Sequence, residues 1–232
     1  PAGAVQRSLA FPELSFIEVD LADAAAVAAA IADQPIDSIV HLAAQVGVRY
    51  SLENPGAYVS SNLTGFANVM EVARERSVDH FVYASSSSVY GGSTAVPYTT
   101  DDRADQPISL YAATKRANEL MAHSYAHLFR VPCTGLRFFT VYGPWGRPDM
   151  ATFKFTRRIL EGRAIDLFNH GQMQRDFTYV ADIVEGVMRV LDAPMVDEPG
   201  ADQAPARLYN IGRGTPIQLE DFVRSLERAI GK

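Results

Sequence analysis

The chain has 232 residues, of which 47% are hydrophobic, 21% charged and 10% aromatic, a composition with enough apolar material for a folded core. Its net charge of -6 argues against a general binder of nucleic acid or anionic membranes, so an anionic ligand has to be met by local arginines. The one cysteine, Cys133, excludes an internal disulfide, no apolar run reaches the length of a membrane span, and no charged-then-apolar signal pattern opens the sequence, which makes the cytoplasm the expected location.

Taken in chain order, residues 15–20 (SFIEVD) are a short β-type run, after which Asp23 caps an alanine-rich helix reaching about residue 31. Residues 36–43 (IDSIVHLA) predict a buried strand. Residues 54–76 predict a long helix, apolar at Val59, Leu63, Phe66, Val69, Met70 and Ala73. A strand over 80–85 (HFVYAS), a helix over 110–129, a strand over 133–138 and a helix over 152–161 follow. Strand and helix alternate, and several strands are apolar on both faces, the pattern of a parallel sheet covered by helices on both sides. The expected fold class is α/β, a doubly wound parallel sheet of Rossmann type.

Beyond residue 143 the pattern loosens. Pro144, Gly146 and Pro148 mark an irregular loop, shorter elements follow at 165–168, 176–179, 182–191 (helix) and 208–211, and a last helix covers 219–230. Residues 193–206, rich in Pro, Asp and Gly, read as an exposed loop. The expected organisation is a core over 1–143 carrying the catalytic residues and a smaller substrate lobe over 144–232, some of whose elements return to the core. Open sheets of this kind hold ligands at the C-terminal ends of their strands.

Lysine is scarce, three residues (Lys115, Lys154, Lys232) against eighteen arginines, so its position is informative. Tyr111 and Lys115 lie four apart in the predicted helix 110–129, on one face, a spacing that chance pairing yields only about 0.13 times here. A phenol is a poor base near neutrality, and bringing its pKa from about 10 to about 7 takes roughly 4 kcal/mol of preferential phenolate stabilisation. A neighbouring ammonium works in that direction. By spacing alone the pair also fits a surface lysine beside a buried tyrosine. The second feature is the run of residues 85–91 (SSSSVYG) directly after the strand HFVYA. It offers hydroxyls at the ligand edge of the sheet, although taken alone it reads first as an ordinary turn.

Together the two features resemble the extended short-chain dehydrogenase/reductases, and within them the NAD-dependent nucleotide-sugar epimerases, in which a strand-end Ser or Thr precedes Tyr-x-x-x-Lys by about twenty-five residues. Residues 41–49 (HLAAQVGVR), 111–123 (YAATKRANELMAH), 135–150 (GLRFFTVYGPWGRPDM) and 168–180 (FNHGQMQRDFTYV) are similar to the UDP-glucuronate 4-epimerases in particular.

The resemblance implies that Tyr111 takes the proton from the sugar 4-hydroxyl, that Lys115 lowers the tyrosine pKa and binds the nicotinamide ribose, and that Ser86 is the catalytic serine, with Ser87 and Ser88 lining the sugar. Hydride would pass from C4 to NAD⁺ and return to the other face of a 4-keto sugar, with no net redox change. The family's dehydratases carry acidic residues at the positions of Ser87 and Ser88, and its decarboxylases one at Ser88. Serine does not perform that proton transfer at neutral pH, so the two serines favour epimerisation. Arg175 would meet the diphosphate, and Arg147 and Thr140 the sugar carboxylate; Thr140 stands where UDP-galactose 4-epimerases have Asn. For NAD, Asp20 and Leu21 would contact adenine, Leu42, Ala43 and Ala44 would pass the pyrophosphate and ribose, Phe138 and Phe139 would flank the nicotinamide, and Asn62 matches a cofactor-side family position. No metal is expected. The implied partners are a UDP-sugar and a second copy of the chain, paired through helices 54–76 and 110–129. A 4-epimerase of a neutral or N-acetylated UDP-sugar, or a non-catalytic nucleotide-sugar-binding module, are the alternatives.

One departure stands out. The family opens on a strand, Gly-x-x-Gly-x-x-Gly and a helix whose N-terminus holds the pyrophosphate. Here the first 35 residues contain only Gly3, and the later Gly212-Arg-Gly214 is followed by Ile217 and too little chain to head a βαβ unit. Roughly 30 residues or more of a first βαβ unit, and the family's continuation past Lys232, are thus missing from this sequence; a chain really this short would be expected to expose a bare sheet edge, to bind NAD weakly or not at all and to be poorly soluble.

Overall fold

The computed structural model describes residues 11–94, 96–167, 171–195 and 202–232. They pack as two units, the first drawn from Pro1–Arg137 and Val187–Asn210, the second from Phe138–Gly186 and Ile211–Lys232. The chain therefore leaves the first unit at Arg137, earlier than the expected division after residue 143.

In the first unit, helix α1 (Ala24–Ala30) starts where the Asp23 carboxylate accepts the Ala26 amide at 3.0 Å, satisfying one of the orphan donors of a helix N-terminus. Strand β1 (Ser38–His41) pairs in parallel with β2 (His80–Ser86), Ser38 opposite His80 and His41 opposite Tyr83. Parallel neighbours need a crossover. It is supplied here by two single-turn helices, α2 (Tyr50–Glu53) and α3 (Pro55–Tyr58), a π-helical stretch Val59–Thr64, and α4 (Gly65–Glu75). Helix α5 (Leu110–Phe129) then connects β2 to β3 (Cys133–Phe138). With β7 (Ala206–Ile211) the sheet has the order β1–β2–β3–β7.

Strands β2 and β3 are buried along most of their length, as their continuous apolar character predicts. Phe66, Met70 and Ala73 of α4, Phe81 and Tyr83 of β2, and Ala122 and Ala126 of α5 form the core between them. Phe66 meets Phe81 and Tyr83 edge-on at 5.7 and 5.5 Å between ring centroids, and burying a ring of that size contributes about 2–3 kcal/mol.

Three expectations are corrected here. Residues 15–20 form no strand: Phe16 and Ile17 are exposed, and among the described residues no neighbouring strand offers them a ladder, without which a β-type sequence stays irregular. The helix expected over 54–76 is interrupted by the wide turn at Val59–Thr64, because Asn62 is drawn inward by hydrogen bonds to other elements. The strand expected over 36–43 ends at His41, leaving Leu42–Ala44 beyond the ladder at its C-terminal end.

The second unit pairs β4 (Thr140–Tyr142) in parallel with β6 (Phe177–Tyr179), and β5 (Gln174–Arg175) antiparallel with β8 (Ile217–Gln218). Helices α6 (Ala151–Leu160) and α8 (Leu219–Ile230) enclose a core of Phe155, Phe177, Leu219 and Phe222, in which Phe177 and Phe222 stack at 4.3 Å. Helix α7 (Val180–Leu191) begins in this unit. Residues 165–167 are irregular rather than a strand, with Ile165 and Leu167 packed on the same core; Phe168 lies outside the described residues, as do Gly3 and residues 196–201 of the expected loop.

Candidate functional site

Ser109 fixes the start of α5 by accepting the Ala112 amide at 3.1 Å, which places Tyr111 and Lys115 in its first two turns. Lys115 is only 2% exposed, so it is no surface lysine. Its Nζ donates to the Ala84 carbonyl of β2 at 2.8 Å, and burial depresses its pKa to about 8. The ammonium thus survives at neutral pH within one helical turn of the phenol. Tyr111 also lies edge-on to Tyr58, 6.4 Å between centroids.

Two residues beyond Ala84 the strand ends in a 3₁₀ turn, Ser87–Tyr90, capped by the Ser86 hydroxyl, which accepts the Ser88 amide at 3.2 Å. The turn closes at Gly91 with φ of 62°, where an added Cβ would come within 2.2 Å of the Gln106 carbonyl oxygen, so glycine is required there. The serine run is therefore a turn, and it is also the segment that brings Ser86 to the end of the strand holding Lys115.

Asn62, 1% exposed, ties the parts together. Its Oδ1 accepts the Gln45 amide at 2.7 Å, its Nδ2 donates to the Gln45 carbonyl and to Thr114 Oγ1, each at 3.0 Å, and its own carbonyl accepts from Asn118 Nδ2 at 2.6 Å. The loop after β1 is thereby locked to α5. Tyr58 holds the same loop, its hydroxyl reaching the Val46 and Gly47 carbonyls. Gln45, Thr114 and Asn118 were not singled out from the sequence. The legible signal was the polar pair Thr114 and Asn118, four apart in a helix whose neighbouring faces are buried.

His41, expected to be a structural strand-end residue, is buried against Phe66 and Phe81. Desolvation, followed by the charge of Lys115, pushes its pKa down to about 4. Because the unfolded chain takes up a proton near pH 6.5 that the folded form refuses, stability is expected to fall by about 3 kcal/mol as the pH drops from 6.5 to 4. In His41→Leu this slope should vanish from urea unfolding measured across that range; an unchanged slope would assign the acid sensitivity to other groups.

Of the other residues expected around a dinucleotide, several belong to the first unit. Leu42 and Ala43 are exposed and Ala44 half-buried just past β1. Asp20 is exposed and accepts the Ala22 amide at 2.9 Å, and the Leu21 carbonyl accepts from Asn68 at 2.8 Å. A buried ammonium, an exposed carboxylate and small side chains at a strand end suit the ribose, adenine and pyrophosphate of NAD. The glycine cradle is not among the described residues.

Phe138, Thr140, Arg147 and Arg175 belong to the second unit. Phe138 is half-buried at the end of β3. The Thr140 amide donates to the Asp176 carbonyl at 3.0 Å. Arg147 grips the Asp149 carboxylate with two nitrogens, Nε at 2.9 Å and Nη2 closer still; although partial burial opposes it, this pairing holds the Asp149 carboxyl below its usual pKa. Arg175 is exposed on β5. Among the described residues no helix is long and apolar enough to cross a membrane, and no cluster of three or more His, Cys, Asp or Glu side chains forms a metal site.

Residues 3–212 match the NAD dependent epimerase/dehydratase family. The chain is 49% identical to Protein CapI of Staphylococcus aureus, covering 97% of this chain and 70% of that one, and 49% identical to a probable UDP-glucuronate 4-epimerase of Rhizobium meliloti, covering 98% and 69%. Among solved structures, a UDP-glucuronic acid 4-epimerase from Bacillus cereus, in complex with UDP-glucuronic acid and NAD, superposes with a TM-score of 0.85 at 32% identity, covering 100% of this chain and 70% of that one.

Proposed function

Starting from the fact that this chain belongs to the NAD-dependent epimerase/dehydratase family, we propose that it is a UDP-sugar 4-epimerase whose substrate is UDP-glucuronate and whose product is UDP-galacturonate. The observation that carries this reading is the burial of Lys115 one turn after Tyr111, tied to the strand that ends in Ser86.

In this reading Tyr111 removes the proton of the sugar 4-hydroxyl as general base. The Lys115 ammonium stabilises its phenolate, and the low-dielectric surroundings that depress the lysine pKa also strengthen that attraction. Ser86 orients the reacting oxygen, and Ser87 and Ser88 line the sugar without supplying an acid that would divert the reaction to elimination. NAD, when bound, supplies a reversible hydride acceptor for carbon 4. Asp20, Leu21, Leu42, Ala43, Ala44, Lys115 and Phe138 would hold it; Asn62, expected among them, is buried with its polar atoms bonded to Gln45, Thr114 and Asn118, and acts instead by fixing the loop after β1. Arg175 binds the diphosphate, and Arg147 and Thr140 meet the carboxylate. The functional form is a homodimer, a reading supported by Leu120, Leu128 and Phe129 standing exposed on α5.

Incubation of the full-length protein with UDP-glucuronate and NAD⁺, with the products resolved by chromatography, is expected to yield UDP-galacturonate; no conversion with NAD bound would overturn the reading. Arg147→Ala is expected to lower kcat/KM on UDP-glucuronate about 10- to 100-fold, the worth of a charge-assisted hydrogen bond, and to leave UDP-glucose turnover within about threefold. The existing Arg147–Asp149 pair favours the competing neutral-sugar reading, in which that arginine is already satisfied. Equal losses on both substrates would support it.

A further inference from the structure

Beneath the serine turn lies a buried ionic network that the reading above does not use. Glu119 sits on α5 one turn after Lys115 and is 3% exposed; Arg137, near the end of β3, is 1% exposed. Glu119 Oε1 accepts from Arg137 Nε at 2.8 Å and from the Ser85 hydroxyl at 2.6 Å. Its Oε2 accepts from Arg137 Nη2 at 2.9 Å and from Arg116 Nη1 at 2.8 Å. The third guanidinium nitrogen, Nη1, donates to the Tyr90 hydroxyl at 2.9 Å, with the guanidinium 4.9 Å from the centre of the Tyr90 ring. Tyr90 is anchored in turn, its hydroxyl 2.6 Å from Asn210 Oδ1 and its ring stacked on Tyr98 at 4.5 Å.

Ser85 is the residue before Ser86, and Tyr90 is the last residue of the turn. One end of the turn is therefore gripped by the carboxylate and the other by the guanidinium of the same ion pair. From this we infer that Glu119 and Arg137 are positioning residues, a clamp that fixes Ser86–Ser88 relative to the helix bearing Tyr111 and Lys115; the inference rests on the epimerase reading for its catalytic consequence. Stability alone does not account for such a pair. Desolvating two charges costs about as much as their attraction returns, and well-packed apolar replacements are often as stable or more so. Geometry, in contrast, needs both groups, because a bidentate pair holds direction as well as distance.

The discriminating variant is the double replacement Glu119→Met/Arg137→Met, which removes both charges together and leaves neither buried without a partner. Hydrogen exchange of the protein alone, followed by mass spectrometry, is expected to speed up about tenfold or more over residues 85–91 and to stay unchanged over α4 and β1. In turnover, kcat is expected to fall about 100-fold, the scale of a misplacement near 1 Å, with KM for the nucleotide sugar within about threefold. Unchanged exchange at the turn, or a wild-type kcat, overturns the proposal. Should the double variant fail to fold, Glu119→Gln, which keeps shape but removes the charge, decides on the same two readouts. An inactive wild-type protein would overturn the epimerase reading and leave exchange at the turn to decide the clamp.

Discussion

Tyr111→Phe is expected to leave the protein folded and to reduce kcat about 10³-fold, within the range that a positioned general base contributes. The substitution removes one oxygen. The ring that meets Tyr58 edge-on is retained, the helix start at Ser109 is untouched, and Lys115 keeps its bond to Ala84. Nucleotide-sugar affinity should change little, because the lost interaction is made chiefly as the proton moves. Circular dichroism and steady-state rates on the NAD-loaded protein check this. Retention of kcat within tenfold would remove Tyr111 from the role of base.

Lys115→Met is expected to move activity and stability in opposite directions. Burial lowers the Lys115 pKa from 10.5 to about 8, which amounts to about 3 kcal/mol of folding free energy lost at pH 7 to keep the ammonium buried. Methionine fills similar space with no charge. It forgoes the hydrogen bond to Ala84, worth about 1 kcal/mol, so a net gain of about 2 kcal/mol remains. For a chain of this size that raises Tm by roughly 4–8 °C. The pH dependence is a second check. Between pH 8 and 10.5 the unfolded lysine is protonated and the folded one is not, so the lysine adds a rise of stability with pH that the variant lacks, and the variant's advantage is expected to shrink through that window. Activity is expected to be lost at every pH, and in the wild type kcat/KM should decline above about pH 8 as the ammonium is lost. A variant with unchanged or lower Tm at pH 7 would show that Lys115 is not a strained, function-serving charge.

The elements that could be located in the sequence are those whose ends are set by neighbours in the chain. Helix α5 runs from the residue after its Ser109 cap to the one before Arg130, which adopts the left-handed conformation, and α8 ends before left-handed Gly231, so both match their expected bounds. The Tyr111–Lys115 pairing is legible for the same reason, since helical spacing alone puts the two on one face. Residues 15–20 show the opposite case. Their β-type pattern is sound, but a strand needs a partner, and pattern cannot supply one. Strands β4, β5 and β8, two or three residues each, are too short to carry any periodicity.

The sequence by itself determined the class of fold and the helical register that sets Lys115 one turn after Tyr111, because alternating buried strands, helix caps and i,i+4 spacing are local properties of the chain. Only tertiary structure decided what surrounds those groups. It buried Lys115 and lowered its pKa, pulled Asn62 inward through a π-helical turn by bonds to Gln45 and Thr114, and joined Glu119 to Arg137 across 18 residues of sequence beneath the serines. Desolvation and long-range hydrogen bonding depend on which elements come to lie together in space, and no local pattern encodes that.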